Sequence, residues 1–316
     1  MTIARKIQSA TEFGRVAVLM GGRSAEREIS LKSGHAVLAA LQEQGVDAHK
    51  IDVGTDVSEQ LRNGNFDRAF IILHGRGGED GEIQGLLHSI AMPFTGSDIT
   101  GAVLSMNKML SKQVWAQQSL PTAEYEQVTV ESDVDDLIKK LGLPLIIKPV
   151  NEGSSIGMSK VKSAVELKAA IKLATQFDAE VIAERWIVGE EYTAAILDGE
   201  ALPVIRLKTP HEFYDFEAKY QANTTEYLCP CGLSKQDETQ CQQLALKAFD
   251  ALRMSGWGRI DFMRDQLGQF YLLEANSIPG MTDHSLVPMA AKQAGLSFAD
   301  LTWKILENSM GREANG

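Results

Sequence analysis

The chain has 316 residues, 44% hydrophobic and 23% charged, the make-up of a folded soluble protein with room for two or three domains. Lys plus Arg number 31 against 42 Asp plus Glu, a net charge of −11 that argues against general binding of nucleic acid or anionic membranes. No apolar run has membrane-spanning length, the opening MTIARKIQSATEFG lacks the apolar stretch of a signal peptide, and Cys229, Cys231 and Cys241 show neither a disulfide framework nor a strong metal spacing, so a cytoplasmic location is expected.

Arg15–Met20 is a strand of the buried type, Gly21 and Gly22 turn the chain, and Ile29–Gln44 repeats apolar residues at helical spacing. Val46–Val53 and Arg68–Leu73 are further strands. This β-α-β-α-β order predicts a parallel sheet with helices on both faces and ligands in the loops beyond the strand ends. Two such loops are chemically loaded. GGRSAERE opens a helix, whose dipole favours an anion, yet Glu26 and Glu28 would repel one. Glu26 suits a substrate ammonium; the same residues also suit plain helix stabilisation, with Ser24 as the cap. HGRGGEDGE sets His74 just past a strand, either as a binding group or as a solvent-facing ring in a turn.

PFTGSD, residues 93–98, marks a first boundary. Beyond it a helix is predicted over Ile99–Gln118, a strand near Glu124–Val130, a helix over Val134–Leu141 and a strand over Leu145–Pro149. A short strand near Met158–Val161, a helix over Ala164–Thr175 and a strand over Glu180–Trp186 complete a small α+β unit. The loop Asn151–Gly157 between two of these strands carries glycines that admit an anion to the backbone N–H groups, two Ser hydroxyls, and Lys148 just upstream: a phosphate cradle. Its Gly-x-Ser-x-Gly string also matches a serine-hydrolase elbow, but the strand-like MSKV stands where that elbow requires a helix. Trp186–Glu191 passes from apolar residues to carboxylates, the pattern of an adenine slot with a ribose-binding acid and equally of an ordinary connection.

EYTAAIL and ALPVIRL are the next two strands. KTPHEFYDFEAKY, residues 208–220, is too aromatic for a solvated loop and too polar for a core; it is either a lid that excludes water or a packed surface loop. Lys219 and Tyr220 at its end are placed to reach a phosphate and a substrate. Ser234–Met254 is a long helix. GWGRIDFMR and QFYLLEANS, joined by Asp265–Gly268, form an antiparallel hairpin, and two helices close the chain. Alternation puts Arg259 and Asp261 on one side, and Glu274 and Asn276 on one side. If those faces coincide, two carboxylates and an amide oxygen make a hard donor set for Mg²⁺, with a guanidinium beside it for a planar anion.

GGRSAEREISL, LHGRGGEDGEIQG, IIKPVNEGSSIGMSKV, FYDFEAKY, GWGRIDF, LLEANSIPGMT and HSLVPMAA, in that order, resemble the D-alanine–D-alanine ligase family of the ATP-grasp superfamily from about Arg15 to Leu306. The resemblance implies a mixed α/β and α+β protein, an ATP-grasp fold preceded by a parallel-sheet domain. Its expected units are residues 1–97 with the first substrate site, 98–187 as the central ATP-grasp part, and 188–316 with the metal site and a lid over 209–224. It implies ATP and D-alanine as substrates, two Mg²⁺ or Mn²⁺ ions on Asp261, Glu274 and Asn276, and a homodimer. Lys108, Lys148 and Lys219 would meet the phosphates, Glu184, Trp186 and Ile187 the adenine, and Glu191 the ribose. Glu26, with His74 nearby, would hold the first ammonium in a network with Ser154 and Tyr220. Arg259 and the Gly280 N–H would stabilise an oxyanion, and Ser285 and Leu286 would receive the second carboxylate. Arg185 departs from the family, which often carries Lys there, and Tyr220 stands where relatives using D-lactate typically have Phe. A ligase for other amino acids, or a non-catalytic sensor of the same fold, would show a different pocket or a lost metal ligand; none of the expected ligands is missing.

Overall fold

The structure is a computed structural model that describes residues 5–208 and 225–310. Strand β1 (Arg15–Gly21) is buried after its first residue, the signature of a strand covered on both faces. β2 (Asp47–Val53) and β3 (Arg68–Ile71) flank it in parallel, in the order β2-β1-β3, and α1 (Arg27–Glu43) and α2 (Val57–Gly64) make the crossovers. This is the expected parallel sheet. α3 (Glu82–Ser89), which the sequence reading did not single out, follows the His74 loop.

The helix expected over 99–118 is two helices, α4 (Ile99–Met106) and α5 (Lys108–Gln117). Asn107 is extended, with φ −84° and ψ 103°, and its side chain accepts the Leu110 N–H at 2.9 Å, capping α5. Apolar spacing runs on through such a break, so periodicity alone does not reveal it. The consequence is functional, because Lys108 becomes the first residue of α5.

β4 (Tyr125–Val128), α6 (Val134–Leu141), β5 (Leu145–Pro149), β6 (Ser159–Val161), α7 (Ala164–Ala174) and β7 (Val181–Arg185) build an antiparallel sheet of order β4-β7-β5-β6. β8 (Gly189–Leu197), β9 (Glu200–Ala201), β10 (Ile205–Lys208), β11 (Glu226–Leu228), β12 (Trp257–Asp265) and β13 (Phe270–Asn276) build another, ordered β11-β10-β8-β12-β13 with β9 against β8. The strand expected at ALPVIRL is split around Pro203, which has no N–H to give a ladder. β11 was not foreseen beside the polar 209–224 segment; the lid expected there, with Lys219 and Tyr220, lies outside the described residues. α8 (Lys235–Ala251), capped by Ser234, packs on this sheet, and α9 (Leu286–Gln293) and α10 (Phe298–Glu307) close the fold.

Three apolar cores hold these layers. One joins the parallel sheet to α9 and α10, so both ends of the chain share Phe13, Leu41, Trp303 and Leu306 as packing partners. A second lies under β8, β12 and β13 and takes in Trp115 from α5; the third fills the β4–β7 sheet. No described helix is long and apolar enough to cross a membrane.

Candidate active site

The β12–β13 hairpin pairs antiparallel, with Arg259 opposite Asn276 and Asp261 opposite Glu274. Cross-strand partners share a face, so alternation along both strands brings all four side chains to one surface. The Arg259 guanidinium forks onto Asp261, Nε to Oδ1 at 2.8 Å and Nη2 to Oδ2 at 2.7 Å. Asn276 Nδ2 donates to Asp261 Oδ2 at 3.1 Å, which leaves the amide oxygen as its acceptor end. Thr193, opposite Asp261 on β8, adds a hydroxyl at 2.5 Å. Asp261 is thus a buried carboxylate with every approach ordered, and Glu274 stands beside it at the cavity edge. Two carboxylates plus one amide oxygen suit a hard divalent cation; among the described residues no group of three His, Cys, Asp or Glu side chains forms an alternative metal cluster.

Arg259, Glu274 and Asn276 open onto a cavity of about 1270 Å³ that is lined also by Glu26 and His74 beside the parallel sheet and by Gly153 and Ser154 of the β5–β6 loop. Glu26 occupies the N-cap position of α1 but makes no side-chain cap bond, and Ser24, expected as the cap, instead accepts the Glu26 N–H at 3.1 Å and donates to the His74 carbonyl at 2.7 Å. The Glu26 carboxylate is turned to Ser154, which donates a very short hydrogen bond to it. It lies so close to Gly75 and Gly153 that a Cβ at either would come within 2.7 Å or 2.9 Å of its oxygen. Glu26 therefore faces a ligand space rather than its own helix. His74 is buried, its Nδ1 2.9 Å from the Ile278 carbonyl and its Nε2 3.3 Å from Ser33 Oγ, which excludes the solvent-facing reading. Gly280, Ser285 and Leu286 line the same cavity. Among the described residues the Gly280 N–H has no hydrogen-bond partner.

The residues expected around the nucleotide lie on α5, β5, β7, β8 and the connection after β7. Lys108 Nζ donates to the Glu152 carbonyl at 2.6 Å and lies 3.9 Å from Glu274, tying α5 and the glycine loop to the hairpin. Lys148 Nζ lies 3.1 Å from the Glu184 carboxylate. Trp186 and Ile187 follow β7, Lys160 sits 4.2 Å over the Trp186 ring, and Glu191 faces Met263 across the β8–β12 ladder. Of these side chains, Lys148 and Glu184 meet directly, and Lys108 meets the hairpin through Glu274.

The D-ala D-ala ligase C-terminus model matches residues 114–307 and the D-ala D-ala ligase N-terminus model residues 48–97. The chain is 56% identical over 300 residues to the D-alanine–D-alanine ligase of Nitrosococcus oceani, covering 95% of each. The chain belongs to the D-alanine–D-alanine ligase family. Its fold is similar to the Bacillus anthracis D-alanine–D-alanine ligase (TM-score 0.84, 33% identity, 94% of this chain and 97% of that one). It is similar also to a Bacillus anthracis D-alanine–D-alanine ligase complexed with ATP (TM-score 0.83, 31% identity, 94% of this chain and 97% of that one).

Two further buried ionisable groups, Lys112 and Glu79, meet residues named above. Lys112 is wholly buried and lies 3.1 Å from the Glu184 carboxylate, which it shares with Lys148. Burial alone would raise the Glu184 carboxyl, but the two ammonium groups outweigh it and hold it low; burial pushes Lys112 down to about 8, against the pull of Glu184. One carboxylate thus offsets one of two cations and leaves this buried cluster net positive. The signal was present, since Lys108 and Lys112 are four apart and share a helix face. Glu79, in the HGRGGEDGE loop, also lines the cavity; burial pushes its carboxyl up to about 8, and the charge of Glu26 adds to the shift. Nothing in sequence spacing separates Glu79 from its acidic neighbours.

Proposed function

We propose that this chain joins two D-alanine molecules into D-alanyl-D-alanine, the dipeptide of peptidoglycan precursors, at the cost of one ATP. The observation that carries the reading is the single face formed by Arg259, Asp261, Glu274 and Asn276, opening on a cavity shared with Glu26. Residues 1–97 supply the first amino-acid site, 98–187 and 188–316 enclose the nucleotide, and the chain acts in the cytoplasm as a homodimer.

The chemistry follows from charge. The ammonium of the first D-alanine rests on Glu26, which Ser154 orients and Tyr220 joins through the 209–224 lid. Its carboxylate is a poor electrophile, because its own charge repels an incoming amine. A carboxylate oxygen attacks the γ-phosphorus, the bond to the β-phosphate oxygen breaks, and ADP leaves an acyl phosphate. Lys108, Lys148 and Lys219 neutralise the charge spread over the phosphate oxygens, with Glu184, Trp186 and Ile187 around adenine and Glu191 on the ribose. Asp261, Glu274 and Asn276 would hold two Mg²⁺ or Mn²⁺ ions, which would supply positive charge against the phosphate oxygens. The second D-alanine, its carboxylate on Ser285 and Leu286, attacks the acyl carbon as a free amine. The oxyanion that forms meets Arg259 and the Gly280 N–H, and collapse expels phosphate.

The test is ATP turnover with D-alanine, L-alanine, D-serine and D-lactate as separate acceptors, with product mass checked. ADP release that requires D-alanine and gives the dipeptide is expected. Turnover indifferent to D-alanine, or mostly ester product in competition with D-lactate at neutral pH, would overturn it.

A further inference from the structure

The segment Ile278–Pro279–Gly280–Met281 leaves the hairpin and has three backbone donors, since Pro279 has none. Two of them are taken by side chains of the parallel-sheet half of the molecule. The Ile278 N–H donates to Glu79 Oε1 at 3.1 Å, and the Met281 N–H donates to Ser33 Oγ at 3.1 Å. The second Glu79 oxygen accepts the Gly75 N–H at 2.8 Å, fixing the carboxyl to the His74 loop. The Ile278 carbonyl can only accept, so the His74 Nδ1, 2.9 Å away, carries the proton. In the neutral ring Nε2 is then the acceptor, and Ser33 donates to it at 3.3 Å. Burial favours that neutral ring by pushing the imidazole below its ordinary value. A chain of bonds therefore runs from Met281 through Ser33 and His74 back to Ile278, and Glu79 closes it from the other side.

We propose that His74, Glu79 and Ser33 are positioning residues that clamp the 278–281 segment from both ends and leave the Gly280 N–H as its one donor without a partner among the described residues, set for the oxyanion of the ligation step. The inference rests on the ligase reading and on Gly280 as an oxyanion donor. It gives His74 a role through the backbone it holds, not through contact with the first ammonium. It also makes the oxyanion site a joint product of two halves of the molecule, because the donor sits on one and the clamp on the other. Catalysis then requires those halves to be docked, whatever the substrate contacts of either.

The experiment compares His74→Ala, His74→Asn, Glu79→Gln and Ser33→Ala with the parent enzyme, each first checked for a parent-like circular dichroism spectrum. The readouts are kcat, KM for each substrate, and the affinity of a phosphinate dipeptide analogue with a tetrahedral centre. A donor displaced by about 1 Å costs on the order of 100-fold, so His74→Ala should lose about that much kcat and weaken the analogue in proportion, with KM for ATP held. The Asn amide nitrogen sits where Nδ1 was, so His74→Asn should recover about tenfold of the loss. Glu79→Gln and the milder Ser33→Ala should lose kcat in the same sense. A raised KM for D-alanine at constant kcat would overturn the clamp, as would an undiminished analogue affinity or a His74→Asn no better than His74→Ala. A parent enzyme that makes no dipeptide from ATP and D-alanine would instead sink the ligase reading beneath it.

Discussion

Replacing Arg259 by alanine removes the guanidinium whose Nε and Nη2 lie 2.8 Å and 2.7 Å from Asp261. A positioned donor to an oxyanion is worth about 3 kcal/mol, which corresponds to about a 150-fold loss in kcat. The consequence for the nucleotide is small, because Asp261 keeps its bonds from Thr193 at 2.5 Å and Asn276 at 3.1 Å and so remains oriented. ATP dissociation constants, read by equilibrium titration with Mg²⁺ present, should therefore stay within about threefold, too little to account for a kcat change of that size. Arg259→Lys keeps the charge but cannot form the two-pronged contact, so its kcat should fall between alanine and parent. Turnover is followed as ADP release with D-alanine saturating. An alanine variant within a few-fold of the parent, or one that loses ATP binding and turnover together, would refute the reasoning.

Lys112→Met leaves Glu184 to neutralise Lys148 alone. With a unit-charge interaction of about 4 kcal/mol at 4 Å in a partly screened site, ATP affinity should fall at least about tenfold with KM for D-alanine unchanged; parent-like ATP titration would contradict this. Glu79 carries a folded-state value raised from 4.5 to about 8, so the folded chain holds the extra proton in that window. Its stabilising contribution is full below about pH 4.5 and is lost as pH rises through 8, with Glu26 and Arg259 the charged groups facing it. Urea midpoints should fall more steeply from pH 5 to 8 in the parent than in Glu79→Gln, and parallel curves would discount the shift. Chelation by EDTA should stop turnover, with recovery on adding Mg²⁺ or Mn²⁺; unaffected turnover would remove the metal ligands' role.

Much of the hairpin site was legible because strand alternation is strict: Arg259, Asp261, Glu274 and Asn276 could be assigned to faces from a period of two and one short turn. Helix α6 was likewise readable to the residue, since Asp133 caps it and its apolar side is regular. The break at Asn107 was not, because apolar periodicity survives a single extended residue, and the cap that ends one helix also starts the next. Glu26 shows the same limit from the other side. Its charge was consistent with capping or with binding, and only the approach of Gly75, Gly153 and Ser154 decides that it turns away from its helix.

Local pattern thus determined the strands and helices of the parallel sheet, the donor set of the hairpin and the cationic glycine loop, since each reads from the period or turn chemistry of its own segments. Tertiary structure alone decided that Lys112 and Lys148 share Glu184, and that Ser33, His74 and Glu79 hold a segment about 200 to 250 positions away. Such contacts depend on how separate elements dock, and docking is set by the burial of whole apolar faces. No spacing within one element encodes which distant carbonyl an imidazole will meet.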